Sequence, residues 1–200
     1  MSIRRLRLGI LAWLLILQFY IVQFAVAAAW PHPFSLSQNF ISDLGNTVSS
    51  PLHALMNSSF VLLGVTIIAG AYLLQPLFSK AQLGLLVMAL GGGCGSILVG
   101  LFPENSIHIL HGIGAILSFS LGNLSLILLG ATFRPLPRAI TLGFGVVGLV
   151  AAGLYSQGMY IGLGVGGMER ITAYPLSLWL IGTACYLLVH PAVLEKASQT

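Results

Sequence analysis

Most side chains able to carry out acid–base or metal chemistry lie in a few short polar segments of an otherwise apolar chain. His108 and His111 have i, i+3 spacing, so on a helix they share one face and can act together on a metal ion or a proton. With His53 and Asp43 or Glu104 they supply ligands for a zinc site of three histidines and one carboxylate. Histidines near helix ends also act as caps or bond to neighbouring loops, so both interpretations stay open here.

Arg170 is the second candidate, and it is followed one helical turn later by Tyr174. Neighbours in sequence point to different faces of a helix, so we expect Arg170 to pair with Asp43 or Glu104, and not with Glu169. A guanidinium also presents a planar fork that suits a phosphate or carboxylate group. Arg170 is therefore predicted either to lock a loop onto the helices or to bind such a group.

Composition indicates that these residues are positioned by membrane-spanning helices. Of the 200 residues, 57% are hydrophobic and 6% are charged, whereas a soluble domain is about a quarter charged. The net charge of +4 does not indicate nucleic-acid binding, because most basic residues flank apolar segments. A water-soluble enzyme and a nucleic-acid-binding domain are both excluded.

The predicted fold class is all-α, a polytopic membrane protein with a bundle of about six helices in one transmembrane domain over residues 1–200. Apolar runs long enough to cross a hydrocarbon core of about 30 Å predict helices at about 8–29, 53–74, 81–102, 107–133, 139–155 and 171–189. Residues 30–52, called loop 1 below, form a polar outer loop. Small residues at 26–29 resemble a cleavage site, so removal of the first helix as a signal peptide is an open alternative.

The basic residues predict the orientation of the bundle, because they collect on the cytoplasmic side of a membrane. Arg170 is the exception among the eight, and the others fall on one side: Arg4, Arg5, Arg7, Lys80, Arg134, Arg138 and Lys196. Both termini are therefore predicted to be cytoplasmic, in the cell membrane, with loop 1 outside.

Once the helices are placed, polar residues from distant parts of the sequence reach the same outer level. The candidate pocket residues are Asp43, Asn46, Glu104, His108, His111, Glu169, Arg170 and Tyr174, and the candidate zinc ligands are His53, His108, His111 and Asp43. No acidic or basic residue is predicted at mid-membrane, which disfavours an ion-coupled pump.

Glycines are abundant, at 24 residues, and Gly91 and Gly95 have GxxxG spacing in the third predicted helix. Lipid supplies no hydrophobic drive for helix association, so small residues that let backbones approach closely are favoured at helix contacts. We predict that these glycines pack the third helix against a neighbour.

Three segments together resemble a known family: residues 39–45 (Asn-Phe-Ile-Ser-Asp-Leu-Gly), residues 100–112 with Phe-Pro-Glu and His-Ile-Leu-His-Gly, and residues 166–175 with Glu-Arg and Ala-Tyr-Pro. Their order resembles bacterial and archaeal six-span membrane proteins called domain of unknown function 998. The resemblance implies six helices and a role for Asp43, Glu104, His111 and Arg170, but no established activity. A fainter likeness is to alkaline ceramidase-type hydrolases, which use three His and an Asp around zinc, although six spans and His-x-x-His depart from that pattern.

The leading functional hypothesis is an outward-facing polar pocket that binds a lipid or isoprenoid head group, without assigned catalysis. One alternative is a metal-dependent intramembrane hydrolase of a lipid amide or ester, and another is a small-solute transporter. No cofactor is expected apart from the zinc of the hydrolase hypothesis. The expected partners are membrane lipids and not nucleic acid.

Overall fold

The computed structural model describes residues 2–132 and 138–199 and is helical, with no strand in those ranges. Six helices are long and apolar enough to cross a membrane, as the sequence predicts. They are α1 (Ile3–Ala28), α2 (His53–Phe78), α3 (Gln82–Leu101), α4 (His108–Thr132), α5 (Arg138–Ser156) and α6 (Gly164–Val189). A short helix, α7 (Pro191–Gln199), follows α6. The predicted end of the fourth helix at residue 133, and Arg134 after it, lie outside the described residues.

The main difference from the predicted bounds is the start of α6, which lies at Gly164 instead of residue 171. Glycine has poor helix propensity, so the segment 158–167 reads as a loop in sequence. Here a contact outside the helix fixes its first turn: the N–H groups of Gly166 and Gly167 donate to the carbonyl oxygen of Ser37 in loop 1. Glu169 and Arg170 therefore lie inside the helix and not at its top.

The six helices form a closed ring in chain order. Each helix packs against the next, and α6 completes the ring by packing against both α5 and α1. Because the chain crosses the bundle six times, loop 1, the α3–α4 turn and the start of α6 all lie at the same end, called the loop-1 end below. In the half of the bundle away from loop 1, Trp13, Phe78 and Trp179 form an aromatic cluster with ring centroids 5.8 to 6.5 Å apart.

Helices α3 and α4 both contain a wide, π-type turn, at Ala89–Cys94 and at Leu117–Leu121, and the two turns lie against each other. The helices approach closely here because their contact is built from glycine. A Cβ atom on Gly95 would lie 2.7 Å from the carbonyl oxygen of Gly114, and one on Gly91 would lie 2.7 Å from the backbone nitrogen of Gly122. This confirms the predicted packing role of Gly91 and Gly95.

Candidate functional site

A cavity of about 440 Å³ lies at the loop-1 end between α4 and α5, and it is called the acidic cavity below. It forms because the two halves of α4 both pack on α3, but only the half at residues 122–132 also packs extensively on α5, whereas residues 108–116 do not. The wide turn between the halves is where α4 and α5 separate. The polar side chains of the lining are Ser42, Glu104, His108, His111, Ser120, Tyr155, Ser156 and Glu169.

Glu104 is held in the cavity wall by loop 1. Its Oε2 accepts a hydrogen bond of 2.8 Å from the Ser42 hydroxyl, and its Oε1 accepts one of 3.0 Å from Asn46 Nδ2. Asp43 lies beside it, and its Oδ2 accepts from the Phe40 N–H at 2.8 Å and from Asn39 Nδ2 at 3.3 Å. The polar side chains of loop 1 are therefore used to position two carboxyl groups next to each other.

Burial and the nearby Glu104 charge raise the pKa of the Asp43 carboxyl above its ordinary value, and a hydrogen bond with Glu104 acts in the same direction. The hydrogen bonds from Phe40 and Asn39 oppose the shift but do not cancel it. Asp43 therefore holds its proton more tightly in the folded protein than in the unfolded chain. Folding takes up a proton between the two pKa values, so this contribution to stability is present at low pH and is lost as pH rises through the raised pKa.

The Asp43→Asn variant is expected to remove this loss, because the amide keeps an oxygen to accept from Phe40 but carries no charge beside Glu104. The melting temperature of the variant relative to wild type should rise as pH increases from about 4, the ordinary carboxyl value, towards neutral. Thermal unfolding in detergent across that pH range measures the difference. Parallel curves for wild type and Asp43→Asn would contradict the assignment.

Glu169 reaches the cavity from the second turn of α6 and is only 5% exposed. Its Oε2 accepts a short hydrogen bond from the Ile41 N–H, so it too is positioned by loop 1. A smaller void of about 50 Å³ shares Glu169 and His111 with the acidic cavity and continues towards Ser96, Ser118 and Ser177. A void of this size can hold water where several polar side chains lie in its walls, as they do here.

The three candidate histidines, His53, His108 and His111, lie in two different places. His111 bonds through Nδ1 to the carbonyl oxygen of Phe102 at 2.8 Å, and since a carbonyl only accepts, Nδ1 carries the hydrogen and Nε2 of the neutral ring is an acceptor. His108 lies in the same cavity wall and is exposed. His53, in contrast, bonds through Nδ1 to Ser50 at the start of α2.

A zinc site was expected from His53, His108, His111 and Asp43. Within residues 2–132 and 138–199, no group of three or more His, Cys, Asp or Glu side chains is arranged to hold a metal ion. The structure therefore does not assemble the four expected ligands as one metal site. The i, i+3 spacing places His108 and His111 in the same cavity wall, but it does not bring His53 to them.

Arg170 has a different partner from the one predicted. It is 7% exposed, and its Nη1 donates to the main-chain carbonyls of Leu36 and Asn39 at 2.9 Å and of Gly166 at 2.8 Å. The Phe34 ring centroid lies 5.8 Å from its guanidinium carbon. Carbonyl oxygens of loop 1 thus take the place of the predicted carboxylates Asp43 and Glu104, which are already bonded to donors in loop 1. Arg170 therefore joins loop 1 to α6, as expected.

Arg170 does not line the acidic cavity. Adjacent residues of a helix point in different directions, so Glu169 faces the cavity while Arg170 and Tyr174 line a separate apolar groove between α5 and α6. The Tyr174 hydroxyl accepts a hydrogen bond of 2.6 Å from Gln23 Nε2 of α1. The residues predicted as one pocket therefore divide between two places.

The candidate residues can now be placed. Glu104, His108, His111 and Glu169 share the acidic cavity, Asp43 and Asn46 support it from loop 1, and Arg170 and Tyr174 lie apart from it. Sequence reasoning missed ten lining residues, among them Phe40, Ser42, Phe119 and Tyr155. Ser42 could have been found, since it precedes Asp43 in a polar segment, but Tyr155 has the sequence context of an ordinary interfacial aromatic residue.

Comparison with known proteins gives one match. A family model described as "Protein of unknown function (DUF998)" matches residues 10–186, which contain all the residues of the acidic cavity. No curated protein and no solved structure matches the chain. The chain therefore belongs to the DUF998 family of membrane proteins of unknown function.

Proposed function

We propose that this multi-pass membrane protein binds the head group of a membrane lipid or isoprenoid in the acidic cavity. One observation carries the proposal: a cavity of about 440 Å³ whose mostly apolar surface also carries carboxyl, imidazole and hydroxyl groups. Ligand pockets of proteins have volumes of about 300 to 1,000 Å³ and a few convergent polar groups in mostly apolar walls. An amphiphile, which has a polar and an apolar part, matches such a lining.

The position of the cavity also supports a ligand that arrives from the bilayer. The cavity lies between two helices that are long and apolar enough to span a membrane. Ile116 in its wall is 66% exposed, so the apolar part of the lining continues onto the outer surface of α4. An acyl or isoprenoid chain can follow that surface while its head group reaches Glu104 and Glu169.

The proposal includes the cell membrane as location, with both termini in the cytoplasm and loop 1 outside. Basic residues support this orientation, since Arg5, Lys80 and Arg138 all belong to the end of the bundle away from loop 1. Arg5 Nη2 donates to the carbonyl of Tyr72 at 2.8 Å, which joins the start of α1 to the end of α2.

The decisive variant is Gly112→Phe. Gly112 lines the cavity, and a Cβ atom there would have no neighbour within 4 Å, so the larger side chain fills the cavity without a clash at its base. Gly182→Phe is the matched control, because Gly182 is an exposed glycine of α6 that also has no neighbour within 4 Å. We expect Gly112→Phe to bind lipid at least about tenfold more weakly, a loss of about 1.4 kcal/mol, and Gly182→Phe to bind like wild type.

Native mass spectrometry measures this directly. The purified, delipidated protein is titrated with total polar lipids of the expression host, and lipid adducts are counted for each variant. Equal adducts in Gly112→Phe and wild type would reject the proposal.

Metal analysis of the same samples separates binding from the hydrolase alternative. Stoichiometric zinc in the wild type that is lost in His108→Ala and His111→Ala would favour the metal-dependent hydrolase.

A further inference from the structure

We propose that the head group bound in the acidic cavity is cationic, an amine or a quaternary ammonium group. This inference rests on the proposed function, because it names the chemistry of the ligand of the same cavity. It depends on three features: the charges that face the cavity, the aromatic rings in its walls, and the hydrogen bonds of Arg170, the nearest buried cation, to main-chain carbonyls.

The side chains that face the cavity are acidic and not basic. Glu104 and Glu169 contribute carboxyl groups, and neither Lys nor Arg is among the described residues of the lining. Asp43 adds a third carboxyl group behind Glu104. A phosphate or carboxylate head group would meet the like charge of Glu104 here, whereas a cation would be attracted, and more strongly than in water because the walls are mostly apolar.

Arg170 is the nearest buried cation, and its charge acts on Glu169, but its side chain does not face the cavity. It follows Glu169 in sequence, but its Nη1 donates to three main-chain carbonyls, and its side chain lines the groove between α5 and α6 and not the cavity. The two histidines of the cavity are His108 and His111, and the Nδ1 of His111 already donates to Phe102. A neutral His111 thus offers an acceptor, as the carboxylates do.

Aromatic rings form three of the remaining walls. Phe40 comes from loop 1, Phe119 from α4 and Tyr155 from α5. The centroids of Phe40 and Tyr155 are 6.4 Å apart with planes at 81°, and those of Phe119 and Tyr155 are 6.0 Å apart with planes at 89°. The three rings therefore form one edge-to-face cluster in the cavity wall. Ring faces attract cations, with quaternary ammonium groups as the best-known ligands of aromatic cages.

A neutral, hydroxyl-rich head group is the main competitor, because carboxylates also accept hydrogen bonds from hydroxyls. The aromatic walls do not by themselves separate the two, since sugars also stack on rings. Net charge does separate them. Replacing a carboxylate by its amide keeps the shape and an acceptor oxygen, but it removes the attraction for a cation.

The experiment therefore compares three amphiphiles of equal chain length: dodecyltrimethylammonium, dodecyl maltoside and dodecyl sulfate. The full-length protein is held in a neutral polyoxyethylene ether detergent, and each probe is titrated below its micelle concentration with native mass spectrometry as the readout. We expect wild type to prefer the ammonium probe at least about tenfold, and Glu104→Gln to lose about that factor, which corresponds to about 1.4 kcal/mol.

Variants of the aromatic wall give a second test in case Glu104→Gln does not fold. Phe119→Leu removes one ring face and should weaken binding of the ammonium probe more than that of the maltoside. Phe24→Leu is its control, since Phe24 lies on α1 and is 52% exposed on the outside of the bundle.

The outcomes separate this inference from the proposed function. If all three probes bind equally and all are lost in Gly112→Phe, the cavity binds amphiphiles but the cationic preference is wrong. If no probe binds in wild type, both proposals fail. If the ammonium preference persists in Glu104→Gln and Phe119→Leu, it arises elsewhere in the protein and the inference is overturned.

Discussion

Arg170→Lys is expected to lower the free energy of unfolding by about 3 kcal/mol and to release loop 1 from α6. The Arg170 Nη1 donates to three carbonyls, two in loop 1 and one in α6. A lysine ammonium ends closer to its own backbone, so it cannot reach all three oxygens from the same position. It is also more strongly hydrated than a guanidinium, which makes its burial less favourable.

Thermal unfolding in detergent measures the stability, and limited proteolysis in loop 1 measures its release. Lys80→Arg is the matched control, because it makes the opposite exchange at an exposed position after α2 and should leave both readouts unchanged. A wild-type melting curve together with an uncleaved loop 1 in Arg170→Lys would show that the three hydrogen bonds do not hold the loop.

The helices were predictable because each needs only a long apolar run, and this signal is local. The start of α6 was missed for the opposite reason. Its first turn is rich in glycine and is fixed by bonds from Gly166 and Gly167 to Ser37, about 130 residues earlier in the chain. Helix propensity is a local property, so it cannot predict a contact that exists only after the chain has folded.

The candidate site was predictable in its chemistry but not in its geometry. The helix order brings Glu104, His108, His111 and Glu169 to one level, and they do share a cavity. Helix geometry predicts that the side chains of Arg170 and Glu169 point to different faces of α6. It does not predict that Arg170 donates to carbonyl oxygens. Every residue carries a main-chain carbonyl, so the sequence does not indicate which carbonyls will act as acceptors.

The cavity itself depends on the wide turns of α3 and α4, and sequence gives little warning of them. Glycines at 91–95 indicate close packing, yet they do not reveal that only the second half of α4 packs extensively on α5. The aromatic wall of the cavity also depends on a wide turn. Phe119 lies in the wide turn of α4, so its place in the cavity depends on that turn.

The Gly95→Leu variant is expected to have an effect as large as that of Arg170→Lys, because the atoms it would overlap belong to the backbone. A Cβ atom at position 95 would lie 2.7 Å from the Gly114 carbonyl oxygen and 2.7 Å from the Ser118 nitrogen. Neither atom can turn aside as a side chain can, so α3 and α4 must move apart. Overpacking commonly costs about 1 to 3 kcal/mol, and we expect the upper end of that range.

Gly182→Leu controls for the change from glycine to leucine in a helix, since position 182 is exposed and has no neighbour within 4 Å of an added Cβ atom. Because leucine has a higher helix propensity than glycine, the stability of this control should be equal to that of wild type or slightly greater. Gly95→Leu should also weaken amphiphile binding, because Gly114 and Ser118 belong to the stretch of α4 that carries His111 and Phe119 into the acidic cavity. Unfolding and lipid binding measured on the same sample therefore test one claim, that the close approach of α3 and α4 builds the cavity. Destabilisation with intact binding would separate the helix contact from the site.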